Sequence, residues 1–420
     1  MSGHGSATEK LQEQQVQRIV DEAFADARFD KRKILFIIPD HTRTAPIDVM
    51  FRCLYRALAP RLPVVDFLIA LGTHPPMSAD AINQRVGITG AEQQEKYPKA
   101  RFFNHHWKDP DQLISVGRIS AVEVEALSEN RLHQAVDVVI NKMVLEYDLL
   151  VIVGPTFPHE VVGFSGGNKY LFPGIAGQEI IDMFHWLGAL ITNPRIIGTK
   201  NTPVRRVVDK AASLLPIERL CFSLVVQGEE LAGLYFGTPE QAWSAAADLS
   251  DRLHIVYKDR PYHTVLSCAP KMYDELWTGG KCMYKLEPVV ADGGTLIIYA
   301  PHITEVSVTH GALIEKIGYH VRDYFVKQWD RFSAFPAGVL AHSTHVKGVG
   351  TFEKGVEKPR IQVVLATGIP ETLCAKINLG YQDPTAIDPR RFMDREAEGV
   401  LYVAKAGEML YRLKDDPFKR

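Results

Sequence analysis

Three short apolar runs constrain this chain more than any other feature. They are Ile34-Leu35-Phe36-Ile37-Ile38, Val64-Val65-Asp66-Phe67-Leu68-Ile69-Ala70-Leu71 and Leu149-Leu150-Val151-Ile152-Val153. A strand with one wet face alternates apolar and polar residues. A run that does not alternate reads as a strand buried on both faces, as in a parallel sheet. Each run stops in a polar cluster. In open α/β sheets ligands bind outside the carboxyl ends of the strands, so these three ends are where chemistry is expected.

The first run discharges into Asp40-His41-Thr42-Arg43, and Pro46 then suits the first turn of a helix carrying Met50, Leu54 and Leu58. Asp40 can accept from ribose hydroxyls or orient an imidazole. Arg43 can clamp a carboxylate or phosphate through two parallel hydrogen bonds, or simply pair with Asp40 across the turn. The second run ends in Gly72-Thr73-His74. The third opens the richest stretch, Pro158 to His185. Gly163, Gly166 and Gly167 lack a Cβ and would let backbone N–H groups approach an anion. Lys169 supplies a cation or, desolvated, a nucleophilic amine. His159 and His185 flank it with groups that titrate near neutrality or bind a metal. The sequence argues against a Walker A loop, because Asn168 separates the glycines from Lys169 and Tyr170 replaces the magnesium-binding hydroxyl. The plain alternative is a glycine-rich turn with a solvated lysine.

Asp40-His41-Thr42-Arg43, Gly72-Thr73-His74 and the segment from His159 through Lys169 to His185 together resemble the nickel-dependent lactate racemase family. The resemblance extends to spacing, ten residues from His159 to Lys169 and sixteen from Lys169 to His185. It covers most of the chain, with a weaker stretch from Trp277 to Gly294. It implies a nickel-pincer nucleotide, the Ni(II) complex of a pyridinium-3,5-bisthiocarboxylate mononucleotide, covalently attached at Lys169 through a thioamide. His185 would be the protein ligand to nickel, and Asp40, His41, Thr42 and Arg43 would contact the nucleotide. His74 and His159 would be an acid/base pair, one on each face of the substrate. Lys281 would bind substrate, with Thr278 and Trp329 beside it. The implied reaction is racemisation or epimerisation of a 2-hydroxy acid, with hydride leaving and returning at C2 through a 2-keto acid. Cofactor-synthesis proteins would be the loading partners.

This sequence departs from the lactate enzyme around the substrate. Thr278 stands where that pattern has glutamine, Trp277 where it has tyrosine, and Pro75 where it has arginine. A pocket for a methyl group gives no reason to change these neighbours, so a larger or more hydroxylated acid such as an aldonate is expected rather than lactate. Lactate racemisation, a phosphate- or nucleotide-binding transferase built on the glycine loop, and a non-catalytic carrier of the nickel cofactor are the alternatives. His74, His159 and Lys281 disfavour the carrier.

Other histidines carry less. Asn104-His105-His106-Trp107 places neighbours on opposite faces of a strand, which suits a structural role better than a metal site. His342 and His345, at i and i+3, can share a helix face.

A length of 420 residues exceeds a single core, so two α/β domains with largely parallel sheets are expected, 1–257 for the cofactor and 258–420 contributing substrate residues. The site would lie in the interdomain cleft. Tyr257-Lys258-Asp259-Arg260-Pro261 marks the boundary, and Lys271 to Val290 reads as a helix. With 48 basic against 50 acidic residues, no basic stripe and no long apolar run, neither nucleic acid nor membrane is an expected partner. Five cysteines without a Cys-x-x-Cys pair suit reduced thiols in a cytoplasmic protein.

Overall fold

The three apolar runs are neighbours in one sheet. The computed structural model describes residues 1–418. Seven strands form this sheet: β1 (Ser2–Gly5), β2 (Ile34–Pro39), β3 (Val65–Ala70), β4 (Ala100–Asn104), β5 (Leu149–Pro155), β6 (Glu218–Gln227) and β7 (Glu230–Gly237), in the order β1-β7-β6-β5-β2-β3-β4. The pairs from β6 through β5, β2 and β3 to β4 are parallel, while β1 and β7 add an antiparallel edge. Every residue of β2 and β5 is buried, which is why neither run alternates.

Helix α1 (Glu13–Ala23) buries Val16, Ile19, Val20 and Ala23 at helical spacing, and α2 (Ile47–Leu58) buries Met50, Cys53, Leu54 and Leu58. Both pack into the core that holds Phe36, Phe67 and Phe222. Phe36 and Phe102 each stack on Phe67 at 5.2 Å, a cross-strand ladder over β2, β3 and β4. The ladder fixes the register that brings the ends of β2 and β3 level.

The chain divides into two compact units. The first comprises Met1–Phe157, Phe164–Ile181 and Arg205–Leu253; the second comprises Pro158–Gly163, Asp182–Val204 and the chain from His254 onward. His159 and His185 therefore belong to the second unit, although both fall within 1–257. Two long helices follow in chain order, α3 (Gln178–Ile191), which carries His185, and α4 (Pro239–His254).

The second unit has its own sheet of β8 (Tyr262–Cys268), β9 (Val290–Ala300), β10 (Gln362–Thr367), β11 (Gly380–Tyr381) and β12 (Val400–Val403), ordered β11-β10-β9-β8-β12 with every pair parallel. Both units are thus α/β with mostly parallel sheets. The helix expected over Lys271 to Val290 is shorter. It consists of the single turns Leu276–Gly279 and Lys281–Tyr284, followed by a 3-10 turn at Glu287–Val289. Pro288 lacks the N–H that would continue it, and Val290 already belongs to β9. Helix α5 (Ala337–Lys347) is buried continuously from Val339 to Val346, so His342 and His345 sit inside the unit.

Among the described residues no helix is long and apolar enough to cross a membrane. All five cysteines are buried and unpaired.

Candidate functional site

In the first unit the ends of β2 and β3 meet through one hydrogen bond. Asp40 Oδ2 lies 2.5 Å from His74 Nδ1. The other carboxylate oxygen accepts from the Thr42 N–H at 3.1 Å and the Thr42 hydroxyl at 2.7 Å, which closes the turn after β2. Burial alone would raise Asp40, but the His74 hydrogen bond, the charges of His74 and Arg43 and the Thr42 hydroxyl outweigh it. They hold the carboxyl well below the usual carboxylate range. An ionised Asp40 makes His74 Nδ1 the protonated nitrogen, so the neutral ring keeps its lone pair on Nε2. Of the two uses open to Asp40 in the sequence, the structure shows the imidazole. His41 is exposed, while Thr42 and Arg43 are half-buried on the same turn.

Arg85 is a residue that local sequence does not mark. Its guanidinium donates to the Arg43 carbonyl at 2.9 Å and the Ala45 carbonyl at 3.2 Å, pinning the Asp40–Pro46 loop from the last turn of the helix Ala79–Arg85.

Lys169 occupies a 3-10 turn, Gly167–Tyr170, and is half-buried. Its carbonyl accepts from the Gly174 N–H at 3.2 Å, and the Gly174 carbonyl accepts from the Gly72 N–H at 2.8 Å. Two backbone hydrogen bonds therefore tie the lysine turn to the His74 loop. Gly72 has φ +57°, and a Cβ there would meet nothing within 4 Å, so the loop has an open side.

The glycines before Lys169 do different work from the anion cradle their spacing suggests. A Cβ on Gly166 would stand 2.4 Å from Thr156 Oγ1, and one on Gly167 would stand 2.9 Å from Trp243 Cβ. Both have positive φ, 88° and 58°. These glycines let the loop pack tightly inward. Asn168 completes the anchor, donating to Asp209 at 2.9 Å and Glu240 at 2.7 Å. Trp243 donates from its indole to the Ser165 carbonyl at 2.9 Å, and the Arg205 guanidinium lies 4.1 Å from its ring centroid. Tyr170 packs on Gly154, whose Cβ would lie 2.3 Å from the phenol ring.

In the second unit His159 is buried, and its Nδ1 accepts from the Val161 N–H at 3.1 Å, which leaves the proton of the neutral ring on Nε2. Glu160 Oε2 approaches the same nitrogen at 3.4 Å. Lys285 donates to the Pro158 carbonyl at 2.7 Å and steadies this segment. His185 is half-buried on α3, next to Trp186, which stacks on Trp329 at 5.3 Å. Lys281 holds its ammonium 4.7 Å from the Tyr273 ring centroid. Thr278 donates its hydroxyl to the Glu275 carbonyl at 3.0 Å.

Helix α5 connects these groups. His342 stacks on Trp277 at 3.8 Å and 7°, and its Nε2 lies 3.0 Å from the Trp277 carbonyl. One turn on, His345 lies within electrostatic reach of Glu160 and His185. The unit thus holds His159 beside Glu160, puts Glu160 and His185 within electrostatic reach of His345, and links α5 to the turn bearing Trp277. Asn104-His105-His106-Trp107 stays outside. His105 is buried, 3.0 Å through Nε2 from the Ala176 carbonyl and 3.3 Å through Nδ1 from the Asn141 amide, a structural anchor for the end of β4.

Burial pulls His342 down to about 3 and His345 to about 4, outweighing the opposing contributions of the Trp277 carbonyl and Glu160. Both stay neutral in the fold where the unfolded chain protonates at about 6.5. Their contribution is present in full above that value and is lost as pH falls towards 4, because unfolding then takes up two protons. The expected slope is about 1.4 kcal/mol per pH unit for each imidazole. Urea unfolding of the second unit followed from pH 7 to 4.5 should show stability falling through this window. A flat profile there would contradict the burial of these rings.

Residues 4–196 match the family model described as the lactate racemase N-terminal domain. Lactate racemase from Lactiplantibacillus plantarum is 24% identical over 302 residues, covering 69% of this chain and 66% of that protein. Lactate racemase from Thermoanaerobacterium thermosaccharolyticum is 25% identical over 275 residues, covering 64% and 60%. The chain thus spans slightly less than two thirds of the length of these relatives. Among solved structures, a Thermotoga maritima protein superposes with a TM-score of 0.89 at 33% identity over 98% of this chain and 100% of that one. The lactate racemase apoprotein from T. thermosaccharolyticum superposes with a TM-score of 0.70 at 18% identity, over 96% and 93%, and shares the fold.

Proposed function

The chain belongs to the lactate racemase family, and on that premise we propose that it is an isomerase that inverts C2 of a 2-hydroxy acid with a nickel-pincer nucleotide attached at Lys169. The observation that carries this reading is the Asp40–His74 pair at a strand end, tied through Gly72 and Gly174 to the Lys169 turn.

The residues fit the group. Gly72, two residues before His74, has open space where a Cβ would stand. Lys169 brings a primary amine from a turn whose backbone is held by Gly166 and Gly174. His185 adds an imidazole nitrogen, a donor that Ni(II) accepts. Lys169 would hold the nucleotide, His185 the metal, and Asp40 to Arg43 the nucleotide's polar edge. When bound, the group supplies a centre that takes up and returns hydride at C2.

The chain's own residues then handle the proton and the orientation. Lys281 pairs its ammonium with the substrate carboxylate, with Tyr273 beneath it. His74, with its lone pair on Nε2, accepts the hydroxyl proton from one face. His159, in its imidazolium form with the Glu160 carboxylate 3.4 Å from Nδ1, donates its Nε2 proton to the oxygen from the other. One ring is the neutral base and the other the protonated acid, and they exchange duties in the reverse direction. The cofactor comes ready-made, so cofactor-synthesis proteins are the loading partners.

Trp277, Thr278 and Pro75 favour a larger or more hydroxylated acid over lactate itself. The transferase alternative loses its support at the glycines, because Gly166 and Gly167 pack against Thr156 and Trp243 and do not open as an anion cradle.

The test is isomerisation of a protiated 2-hydroxy acid in D₂O by protein from a host that makes the cofactor. Hydride that leaves and returns without meeting solvent predicts almost no deuterium at C2. Extensive C2 deuteration would mean proton abstraction through an enolate and would overturn this reading, even with nickel present.

A further inference from the structure

His342 has one ring edge committed and one unused. Its Nε2 donates to the Trp277 carbonyl at 3.0 Å, so Nδ1 carries the lone pair. Nδ1 is buried and has no hydrogen-bond partner among the described residues. The side chain is more than nine-tenths buried, at 8% exposure. One face of the ring is covered by the Trp277 indole at 3.8 Å, nearly parallel. The ring is therefore held by a hydrogen bond and a stack, with an acceptor left over. A buried acceptor without a donor is costly, which points to a donor from outside the chain.

The position says which donor. Trp277 and Thr278 lie within one turn of Lys281, and a Cβ on the intervening Gly280 would sit 3.4 Å from His342 Nε2. Glu160, the neighbour of His159, lies within electrostatic reach of His342. The imidazole thus packs on the turn beside the lysine assigned to the carboxylate, within electrostatic reach of the segment carrying an acid/base. Resting on the function proposed above, we propose that His342 is a specificity-determining residue that accepts a hydrogen bond from a substrate hydroxyl beyond C2, and that the substrate class is a polyhydroxylated 2-hydroxy acid. Lactate has no such donor. Its carboxylate only accepts, its methyl does neither, and its one hydroxyl is engaged by His74 and His159. A site built to bond a hydroxyl rejects the analogue that lacks it more strongly than a pocket rejects a methylene.

The test compares lactate with glycerate, threonate and gluconate, which carry progressively more hydroxyls, using cofactor-loaded wild type, His342→Phe and His342→Gln. Phenylalanine keeps the stack and removes both nitrogens, while glutamine keeps a donor for Trp277 and an acceptor. Wild type should prefer at least one polyhydroxylated acid over lactate by about tenfold or more in kcat/KM. His342→Phe should erase that preference with little change on lactate, and His342→Gln should restore part of it. A wild type that prefers lactate overturns the proposal, whether or not the variants fold. So does a His342→Phe loss of equal factor on all four acids, which would mark a purely structural role. In both cases turnover persists and the isomerase reading stands. Turnover of no 2-hydroxy acid by protein carrying the Lys169 adduct overturns the isomerase reading, and this proposal with it.

Discussion

Lys169→Ala is expected to reduce activity to background and to remove the covalent cofactor adduct from the intact protein mass, while the protein stays folded. The chemistry allows no substitute at this position. A thioamide needs a primary amine on a long, flexible stem, and alanine has none. Lys169→Arg should fail as completely, since the guanidinium stays charged and cannot form the linkage. The fold should tolerate both changes. The lysine is half-buried, and the turn around it is held by backbone hydrogen bonds and by Asn168 on Asp209 and Glu240. Intact-mass spectrometry with nickel analysis reads the result. An adduct that survives in the alanine variant would remove Lys169 as the attachment point, whatever happened to activity.

The second large effect is expected at the two histidines. Removing a positioned acid/base costs on the order of 10²–10⁴-fold in rate. If His74 and His159 work from opposite faces, either loss impairs interconversion of both enantiomers, because a reversible inversion passes through both groups. Asp40→Asn extends the test. The carboxylate 2.5 Å from His74 Nδ1 selects the tautomer with a free Nε2, and an amide can present its NH₂ to that nitrogen and select the other. A loss on the order of 10²-fold or more is expected, by analogy with other carboxylate–imidazole pairs. kcat/KM measured from each enantiomer decides it. A variant of either histidine that slows only one direction at equilibrium-consistent concentrations would be incompatible with the two-sided arrangement.

Much of the first unit was legible along the chain. Runs without alternation marked β2, β3 and β5, and their ends marked the loops with Asp40, His74 and Lys169. Helix α2 followed from Pro46 and the spacing of Met50, Leu54 and Leu58. The glycines at 166 and 167 were conspicuous, but their use was misleading. An open cradle and a tightly packed turn need the same missing Cβ, and only Thr156 and Trp243 pressing on the loop distinguish them. The helix expected from Lys271 was too long because an apolar period continues across a proline and into a strand.

Local order along the chain was enough for strand type, loop chemistry and family resemblance, because these depend on neighbours within a few residues. Partner choice was not. Arg85 reaches back 42 residues to Arg43, Asn168 forward 41 to Asp209, and His342 back 65 to Trp277. The segments bearing His159 and His185 group with a unit built mostly from the chain after His254. The acid–base character of His342 and His345 is likewise absent from their surroundings in sequence. It arises because α5 is buried continuously from Val339 to Val346, with no polar stripe to advertise which of its faces meets Trp277. Periodicity encodes a boundary between protein and water; where no water remains, only the packed structure determines which polar atoms find partners and which are left to a ligand.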